Sequence, residues 1–248
     1  MIDIPQSFIE RLTEAGSVVF FTGAGISAES GIPTFRGKDG IWNKLKPEEL
    51  ANFDAFIRNP QMVWEWYSHR KNIIHDSQPN PGHLAIAAMQ DLFDKVTVVT
   101  QNIDNLHRRA GSRTIYELHG NIERNYCIQC GTFYNEELPL QDNIPKCSKC
   151  GGLIRPDIVW FGEYLPQDQF EASEKASKDC DIFFVVGTSA VVFPAASLVY
   201  TARENGAYIV EVNIQETAVS LIADKSFYGE AGVVLPLITD KLRQVKSN

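Results

Sequence analysis

Four of the five cysteines form two pairs whose spacing is typical of a structural zinc site. Each pair has two residues between its cysteines, and sixteen residues separate the pairs. Four thiolates can fill the tetrahedral coordination of zinc and leave no position for water, so the ion would stabilise the fold without taking part in catalysis. Redox-active or unliganded pairs are the alternative. The predicted ligands are Cys127, Cys130, Cys147 and Cys150, whereas Cys180 precedes an apolar run and is expected in the core.

A glycine-containing turn follows the first long apolar run of the chain. Gly23 and Gly25 would let the backbone approach a pyrophosphate, and the helix expected after them would offer free N–H groups to the same ligand. The third glycine of the usual dinucleotide fingerprint is missing and no Gly-Lys-Ser/Thr follows, which disfavours a standard dehydrogenase and a P-loop nucleotidase. A tight turn without a ligand remains an alternative.

Short apolar runs that end in small or polar residues recur along the chain. They are SVVFFTGAGIS, VTVVTQNID, DIFFVVGTS and AYIVEVNI, separated by stretches compatible with helices. This alternation predicts an α/β fold with a doubly wound, Rossmann-like parallel sheet. Because parallel strands end at the same edge of a sheet, the segments GAGIS, TQNID, GTS and VNIQ should meet in one crevice.

Two segments interrupt this alternation, so we expect one domain of residues 1–248 with two insertions. The cysteines, prolines and glycines of residues 125–152 predict a small inserted zinc-binding module, and residues 41–76 predict a helical insertion. The Rossmann-like part would then comprise residues 1–40, 77–124 and 153–248.

The composition limits the classes of partner. Of 248 residues, 44% are hydrophobic and 22% charged, as in ordinary globular proteins, and the formal net charge is −8. The negative charge argues against nucleic acid as a direct partner, and no apolar run approaches the ~20 residues that span a bilayer. Without a recognisable secretory signal, we expect a cytoplasmic protein that does not associate with membranes and is a monomer.

Several motifs occur in an order that resembles the sirtuin family over nearly the whole chain. They are GAGISAESGIPTFRG at 23–37, TQNIDNLHRRAG at 100–111, ELHGN at 117–121, the four cysteines, RPDIVWFGE at 155–163 and GTS at 187–189. The resemblance, to short bacterial and archaeal members, implies an NAD-dependent protein-lysine deacylase with one structural zinc ion. NAD is consumed in that reaction, which yields nicotinamide, O-acyl-ADP-ribose and the free lysine of an acylated protein or peptide.

The resemblance also assigns the site residues. His119 matches the general base, while His107 is taken as structural and His69, His75 and His83 lack motif support. Implied cofactor-binding residues are Gly23, Ala24, Gly25, Ser27, Ala28, Glu29, Pro33, Phe35, Arg36, Trp42, Gln101, Asn102, Ile103, Asp104, Gly187, Thr188, Ser189, Asn213, Ile214, Gln215 and Ala231. Of these, Asn213 and Gln215 resemble the family's contacts to the adenosine ribose. Implied peptide-binding residues are Val159, Trp160, Phe161, Gly162 and Glu163. For Trp160 and Phe161 the alternative is ordinary core packing, which the match to the motif outweighs.

Tyr67 and Arg70 bear on the choice of acyl group. They lie three residues apart on an expected helix and so share a face. The pattern, together with Thr34, resembles sirtuins that remove succinyl or malonyl groups, because a guanidinium and a phenol can bind the distal carboxylate. The alternative is a solvated arginine beside a packed tyrosine.

The sequence is also compatible with other reactions. The enzyme could act on acetyl-lysine only, or transfer ADP-ribose to proteins through the same activated ribose carbon. More distant alternatives are an NAD-dependent oxidoreductase and a zinc-module binding protein that holds NAD without turnover.

Overall fold

The computed structural model describes residues 2–35, 50–134, 138 and 144–246, and its elements are numbered here in chain order within those ranges. The strands are β1 Ser17–Thr22, β2 Lys95–Thr100, β3 Ile115–Glu117, β4 Gly120–Cys127, β5 Phe133–Tyr134, β6 Ile154–Ile158, β7 Ile182–Val186, β8 Tyr208–Asn213 and β9 Lys225–Tyr228. The helices are α1 Gln6–Thr13, α2 Gly25–Ala28, α3 Phe53–Arg58, α4 Pro60–Asp76, α5 Pro81–Met89, α6 Leu106–Arg109, α7 Gln167–Lys178, α8 Ser197–Glu204 and α9 Ala231–Lys246, with a 3₁₀ helix at Ala218–Leu221.

Six strands form a parallel sheet in the order β3-β2-β1-β7-β8-β9. The apolar run of β1 is continuous because both faces of this central strand are buried. Val18 and Phe20 face one core, which α1, α5 and α9 cover, while Val19 and Phe21 face the other, which α7 and α8 cover. The predicted doubly wound sheet is therefore confirmed.

The two insertions pack against each other. Strands β5, β4 and β6 form a small antiparallel sheet, and a third core joins it to α3 and α4. Within that core, the indole nitrogen of Trp64 in α4 donates a 3.0 Å hydrogen bond to the carbonyl oxygen of Ile154 in β6. The small sheet spans residues 120–158 and so extends beyond the predicted 125–152 at both ends.

Helix α4 begins and ends at identifiable signals. Pro60 occupies its first turn and the side chain of Asn59 accepts a hydrogen bond from the backbone of Met62, an arrangement that favours helix initiation. The helix then runs for 17 residues to Asp76, which places Tyr67 and Arg70 on its buried face. Within the described ranges, no helix is both long and apolar enough to span a bilayer.

Candidate active site

The four predicted segments meet at the carboxyl edge of the parallel sheet. The amide of Gly23, after β1, donates to the carbonyl of Val186 in β7 (3.0 Å). After β2, the side-chain amide of Gln101 donates to the hydroxyl of Thr188 (3.0 Å). Asn213, at the end of β8, donates to the carbonyl of Thr188 (3.1 Å). The expected crevice is thus confirmed, and hydrogen bonds fix the relative positions of its walls.

The glycines of the crevice serve first to bring two backbone segments together. A Cβ atom on Gly25 would lie 2.7 Å from the carbonyl oxygen of Gly187, and one on Gly23 would lie 2.6 Å from Cβ of Thr188. The expectation of free helix N–H groups here is wrong. Helix α2 has only four residues, and the amides of Gly25, Ile26 and Ser27 already donate to Gly187, Gly23 and Ala24.

His119 lies between the large sheet and the loop after β6. Its Nδ1 atom lies 3.0 Å from the carbonyl oxygen of Gln101, a pure acceptor, so Nδ1 carries the proton and Nε2 has the lone pair. Burial lowers the pKa of His119 below its ordinary value, while the bond to Gln101 raises it to a lesser degree. The carbonyl oxygen of His119 also accepts from the amide of Val159 (3.0 Å). This geometry suits a neutral general base.

A buried polar network lies beneath the crevice. The hydroxyl of Ser27 donates to the carboxylate of Asp104 (2.6 Å), and the side-chain amide of Asn102 lies 3.2 Å from the same hydroxyl and 3.0 Å from the carbonyl of Gly23. Burial raises the pKa of Asp104, and hydrogen bonds from Ser27 and the amide of Leu106 oppose that shift. The predicted cofactor residues Ser27, Asn102 and Asp104 are therefore assembled as one unit.

Sequence reasoning missed His83, which belongs to this network. Its Nε2 atom lies 3.4 Å from the hydroxyl of Ser27, and its ring is 4.9 Å from that of His107. The sequence feature that could have pointed to His83 is the helix start at Asn80, three residues before it. The side chain of Asn80 caps α5 and also donates to the carbonyl oxygen of Ile26 (2.6 Å), which places the start of α5 beside α2. His107 is buried with Nε2 2.9 Å from the hydroxyl of Thr22, which supports its predicted structural role.

The remaining predicted cofactor residues differ in their contacts and in their burial. The carboxylate of Glu29 is engaged within the protein, because it accepts from the amide of Gly232 (2.8 Å) in the first turn of α9, next to Ala231. Around the crevice, Ala24, Phe35, Gly187 and Ser189 are half-buried and Ile103 is buried, while Ala28, Pro33, Ile214 and Gln215 are exposed. Arg36 and Trp42 lie outside the described residues.

The loop after β6 is held by a buried arginine. Arg155 forms a two-pronged ion pair with Glu163, and its guanidinium carbon lies 3.3 Å from the ring centroid of Trp160. Glu163 also accepts from the backbone amide of Trp160 (2.8 Å), so both of its oxygens are engaged in shaping the loop. Trp160 is buried in the third core, as the alternative interpretation expected, whereas Phe161 and Gly162 are exposed and Val159 is half-buried.

Tyr67 and Arg70 are both buried, which excludes the alternative of a solvated arginine. The side chains are only 2% and 5% exposed, respectively. The Arg70 guanidinium lies 4.8 Å from the ring centroid of Phe35 and 5.3 Å from that of Trp66, and its Nε atom has no hydrogen-bond partner among the described residues. Burial lowers the pKa of Arg70 and raises that of Tyr67.

The four predicted zinc ligands converge. The Sγ atoms of Cys127, Cys130, Cys147 and Cys150 all lie within 4.8 Å of one another. The hydroxyl of Tyr134 donates to Sγ of Cys147 (3.1 Å) and accepts from the amide of Ser148 (3.1 Å), as a residue that orients a metal-bound thiolate would. The donor set fits one structural zinc ion. Cys180 is buried in the second core, and burial raises the pKa of its thiol to about 12.

Comparison with known proteins identifies close relatives of this arrangement. The sequence profile of the Sir2 family matches residues 23–194. A protein of Aquifex aeolicus named NAD-dependent protein deacylase is 52% identical over 92% of this chain and 96% of its own. A Sir2 homologue bound to ADP-ribose superimposes with a TM-score of 0.95, at 43% identity over 98% of both chains. The structure of a complex of Sir2, p53 peptide and NAD⁺ superimposes with a TM-score of 0.86, at 34% identity over 95% of this chain and 97% of the other.

Proposed function

This chain belongs to the Sir2 family and is an NAD-dependent protein deacylase, and we propose that it removes succinyl and malonyl groups, as well as acetyl groups, from lysine side chains. The relative that holds a p53 peptide and NAD⁺ supports a protein or peptide as the carrier of the acyl-lysine. The relative that holds ADP-ribose supports NAD as the ligand, and the crevice at the carboxyl edge of the sheet is where this class of fold binds ligands.

The observation that carries the acyl preference is the unpartnered, buried Nε atom of Arg70. The carboxylate of Asp104 is close enough to interact electrostatically with Arg70, but it does not accept a hydrogen bond from Nε. A buried guanidinium with an unused donor is costly unless a ligand supplies an acceptor and further negative charge. The aromatic rings of Phe35 and Trp66 lie close to the guanidinium. Such rings attract a cation, but they offer no oxygen or nitrogen lone pair to accept a hydrogen bond from Nε. A succinyl or malonyl group supplies both through its distal carboxylate, whereas an acetyl group ends in a methyl that supplies neither.

Tyr67 supplies a second donor on the same face of α4. Its hydroxyl oxygen accepts a 2.8 Å hydrogen bond from the indole nitrogen of Trp160, and among the described residues it has no hydrogen bond in which it is the donor. Because burial raises the pKa of Tyr67, the phenol keeps that proton at neutral pH. The phenol and the guanidinium would therefore bind the acyl carboxylate together, as a neutral and a charged donor.

The other residues of the crevice have tasks that follow from their geometry. NAD would supply an activated ribose carbon for the acyl carbonyl oxygen, with nicotinamide as the leaving group. Addition of water to the resulting adduct would then release free lysine and O-acyl-ADP-ribose. His119 offers the lone pair of Nε2 to a ribose hydroxyl, because Gln101 holds the proton on Nδ1. The amide of Asn102 and the carboxylate of Asp104 are pre-positioned by Ser27 to bind nicotinamide and ribose polar groups.

The test is mass spectrometry of the purified protein with NAD and matched acetyl-, succinyl- and malonyl-lysine peptides. We expect nicotinamide and the corresponding O-acyl-ADP-ribose from all three peptides, and no turnover by His119→Tyr. In Arg70→Met, kcat/KM for the acidic peptides should fall at least about tenfold, while acetyl turnover stays within about threefold, because a charged hydrogen bond is worth roughly 1.5–3 kcal/mol.

Lys71→Met is the matched control, since it removes a neighbouring cation of α4 whose ammonium group bonds Asn125 (2.9 Å) and lies 5.4 Å from the ring centroid of Trp64. Equal discrimination between acetyl and acidic peptides in the wild type and Arg70→Met would refute the acyl preference and leave a deacetylase. ADP-ribose found covalently on protein, with peptides unchanged, would indicate an ADP-ribosyltransferase instead.

A further inference from the structure

Glu211 is a carboxylate buried in the centre of the fold, at a position of β8 where an apolar side chain would be expected. It is 0% exposed and lies on the same face of the strand as Ile209, which packs in the second core. Three hydroxyls donate to it: Thr217 to Oε1 (2.5 Å), and Ser220 (2.5 Å) and Ser226 (3.0 Å) to Oε2. Buried carboxylates with complete hydrogen bonding fix the segments that supply their donors.

Two of the three donors belong to the connection between β8 and β9, residues 214–224. Within this connection, which the structure describes completely, only Val219 is buried, while Ile214 and Leu221 are 70% and 90% exposed. Thr217 also caps the 3₁₀ helix by accepting from the amide of Val219 (3.0 Å). At the far end of the connection, Ile222 and Ala223 pack against the second core, and the carboxylate of Asp224 accepts from the amide of Ile209 (2.8 Å). Residues 214–218, which adjoin β8, include no buried side chain, so their conformation depends mainly on the bonds of Thr217 and Ser220 to Glu211.

The connection begins at the predicted adenosine-binding edge of the crevice. Asn213 donates to the carbonyl of Thr188 and accepts from the amide of Ile214 (2.9 Å), and Gln215 follows directly. We propose that Glu211 is a positioning residue for the adenosine half of NAD, which holds residues 214–224 so that Asn213, Ile214 and Gln215 face the ligand. The inference rests on the proposed NAD site and concerns the binding of NAD, as distinct from the chemical step.

The test removes the hydroxyl donors one at a time, because loss of Glu211 itself would leave several buried hydroxyls without an acceptor and endanger the fold. Thr217→Val and Ser220→Ala should each raise KM for NAD about fivefold, with kcat and the peptide KM within about twofold. Thr217→Ser keeps the hydroxyl and should restore the wild-type KM. Ser226→Ala loses a bond to the same carboxylate from β9, outside the connection, and should leave KM for NAD unchanged.

Calorimetric binding of ADP-ribose separates this inference from the deacylase proposal, because it needs no turnover. The same two variants should weaken ADP-ribose binding about fivefold. Unchanged affinity in both variants, an equal loss in Ser226→Ala, or a parallel loss of kcat would each overturn the role of Glu211. Wild-type protein that binds ADP-ribose without deacylating any peptide would overturn only the proposed function.

Discussion

The indole Nε1 atom of Trp160 donates a 2.8 Å hydrogen bond to the hydroxyl oxygen of Tyr67, and both side chains are buried. Trp160 belongs to the loop after β6, which Arg155 holds, whereas Tyr67 belongs to α4 in the helical insertion. The bond therefore connects the loop expected to bind the peptide backbone with the pair expected to select the acyl group. Because the indole can only donate, it leaves the proton of the phenol directed elsewhere.

Replacing Trp160 should weaken acyl selection without removing Arg70. In Trp160→Phe the phenol loses its fixed orientation, so kcat/KM for the succinyl peptide should fall about fivefold relative to the acetyl peptide, as expected for one hydrogen bond. The ratio of the two kcat/KM values is the measurement. Trp64→Phe is a matched control, because Trp64 also lies in the third core but bonds Ile154. An identical ratio in both variants would show that the bond to Tyr67 has no part in selection.

The pKa of His119 predicts the pH dependence of turnover. Burial lowers this pKa, so the ring stays neutral and competent as a base until the pH falls below the ordinary value of about 6.5. The acid limb of the kcat/KM profile for NAD should accordingly lie below pH 6.5, as measured by nicotinamide release between pH 5 and 9. An acid limb at or above pH 6.5 would contradict the assignment of His119 as a buried neutral base.

The buried pair His83 and His107 predicts acid destabilisation. Burial lowers the pKa of His83 to about 4 and that of His107 well below its usual range. The unfolded chain takes up protons near pH 6.5, so the stabilisation is complete above that pH and is lost as the pH falls toward 4. The free energy of unfolding in urea should drop by up to about 1.4 kcal/mol per pH unit for each histidine. His83→Gln should show a smaller drop, and an unchanged slope would count against this account.

Removal of zinc should destabilise the small sheet and the acyl site together. The third core contains Cys127 and Cys147 alongside Tyr67, so unfolding of the cysteine module removes packing from α4. We expect one zinc per chain by atomic absorption, and loss of both zinc and turnover in Cys147→Ser. Cys180→Ser is the matched control, because Cys180 is buried in a different core. Retention of full zinc by Cys147→Ser would refute the four-cysteine site.

Local patterns predicted the sheet and the cysteine cluster, because a buried parallel strand and a zinc knuckle are each encoded within a few residues. Contacts between distant segments were not predictable in this way. The carboxylate of Glu29 accepts a hydrogen bond from the amide of Gly232, 203 positions along the chain. The Nε2 atom of His83 in α5 lies 3.4 Å from the hydroxyl of Ser27 in α2. Such partners depend on how the elements pack, so the motif that assigned Glu29 to the cofactor could not predict its bond to the first turn of α9.

The backbones of Gly25 and Gly187 approach each other closely at the crevice. A Cβ atom on Gly25 would lie 2.7 Å from the carbonyl oxygen and 2.8 Å from Cα of Gly187, and neither backbone atom can move without shifting β7. Gly25→Ala should therefore lower the free energy of unfolding by about 2 kcal/mol, as overpacking does, and weaken ADP-ribose binding. Gly16→Ala is the control, because its Cβ would meet only the flexible carboxylate of Asp94 at 3.2 Å and that of Asp181 at 3.8 Å. Urea unfolding and calorimetry of both variants test the prediction, and equal stability of the two would show that the Gly25–Gly187 contact does not constrain the crevice.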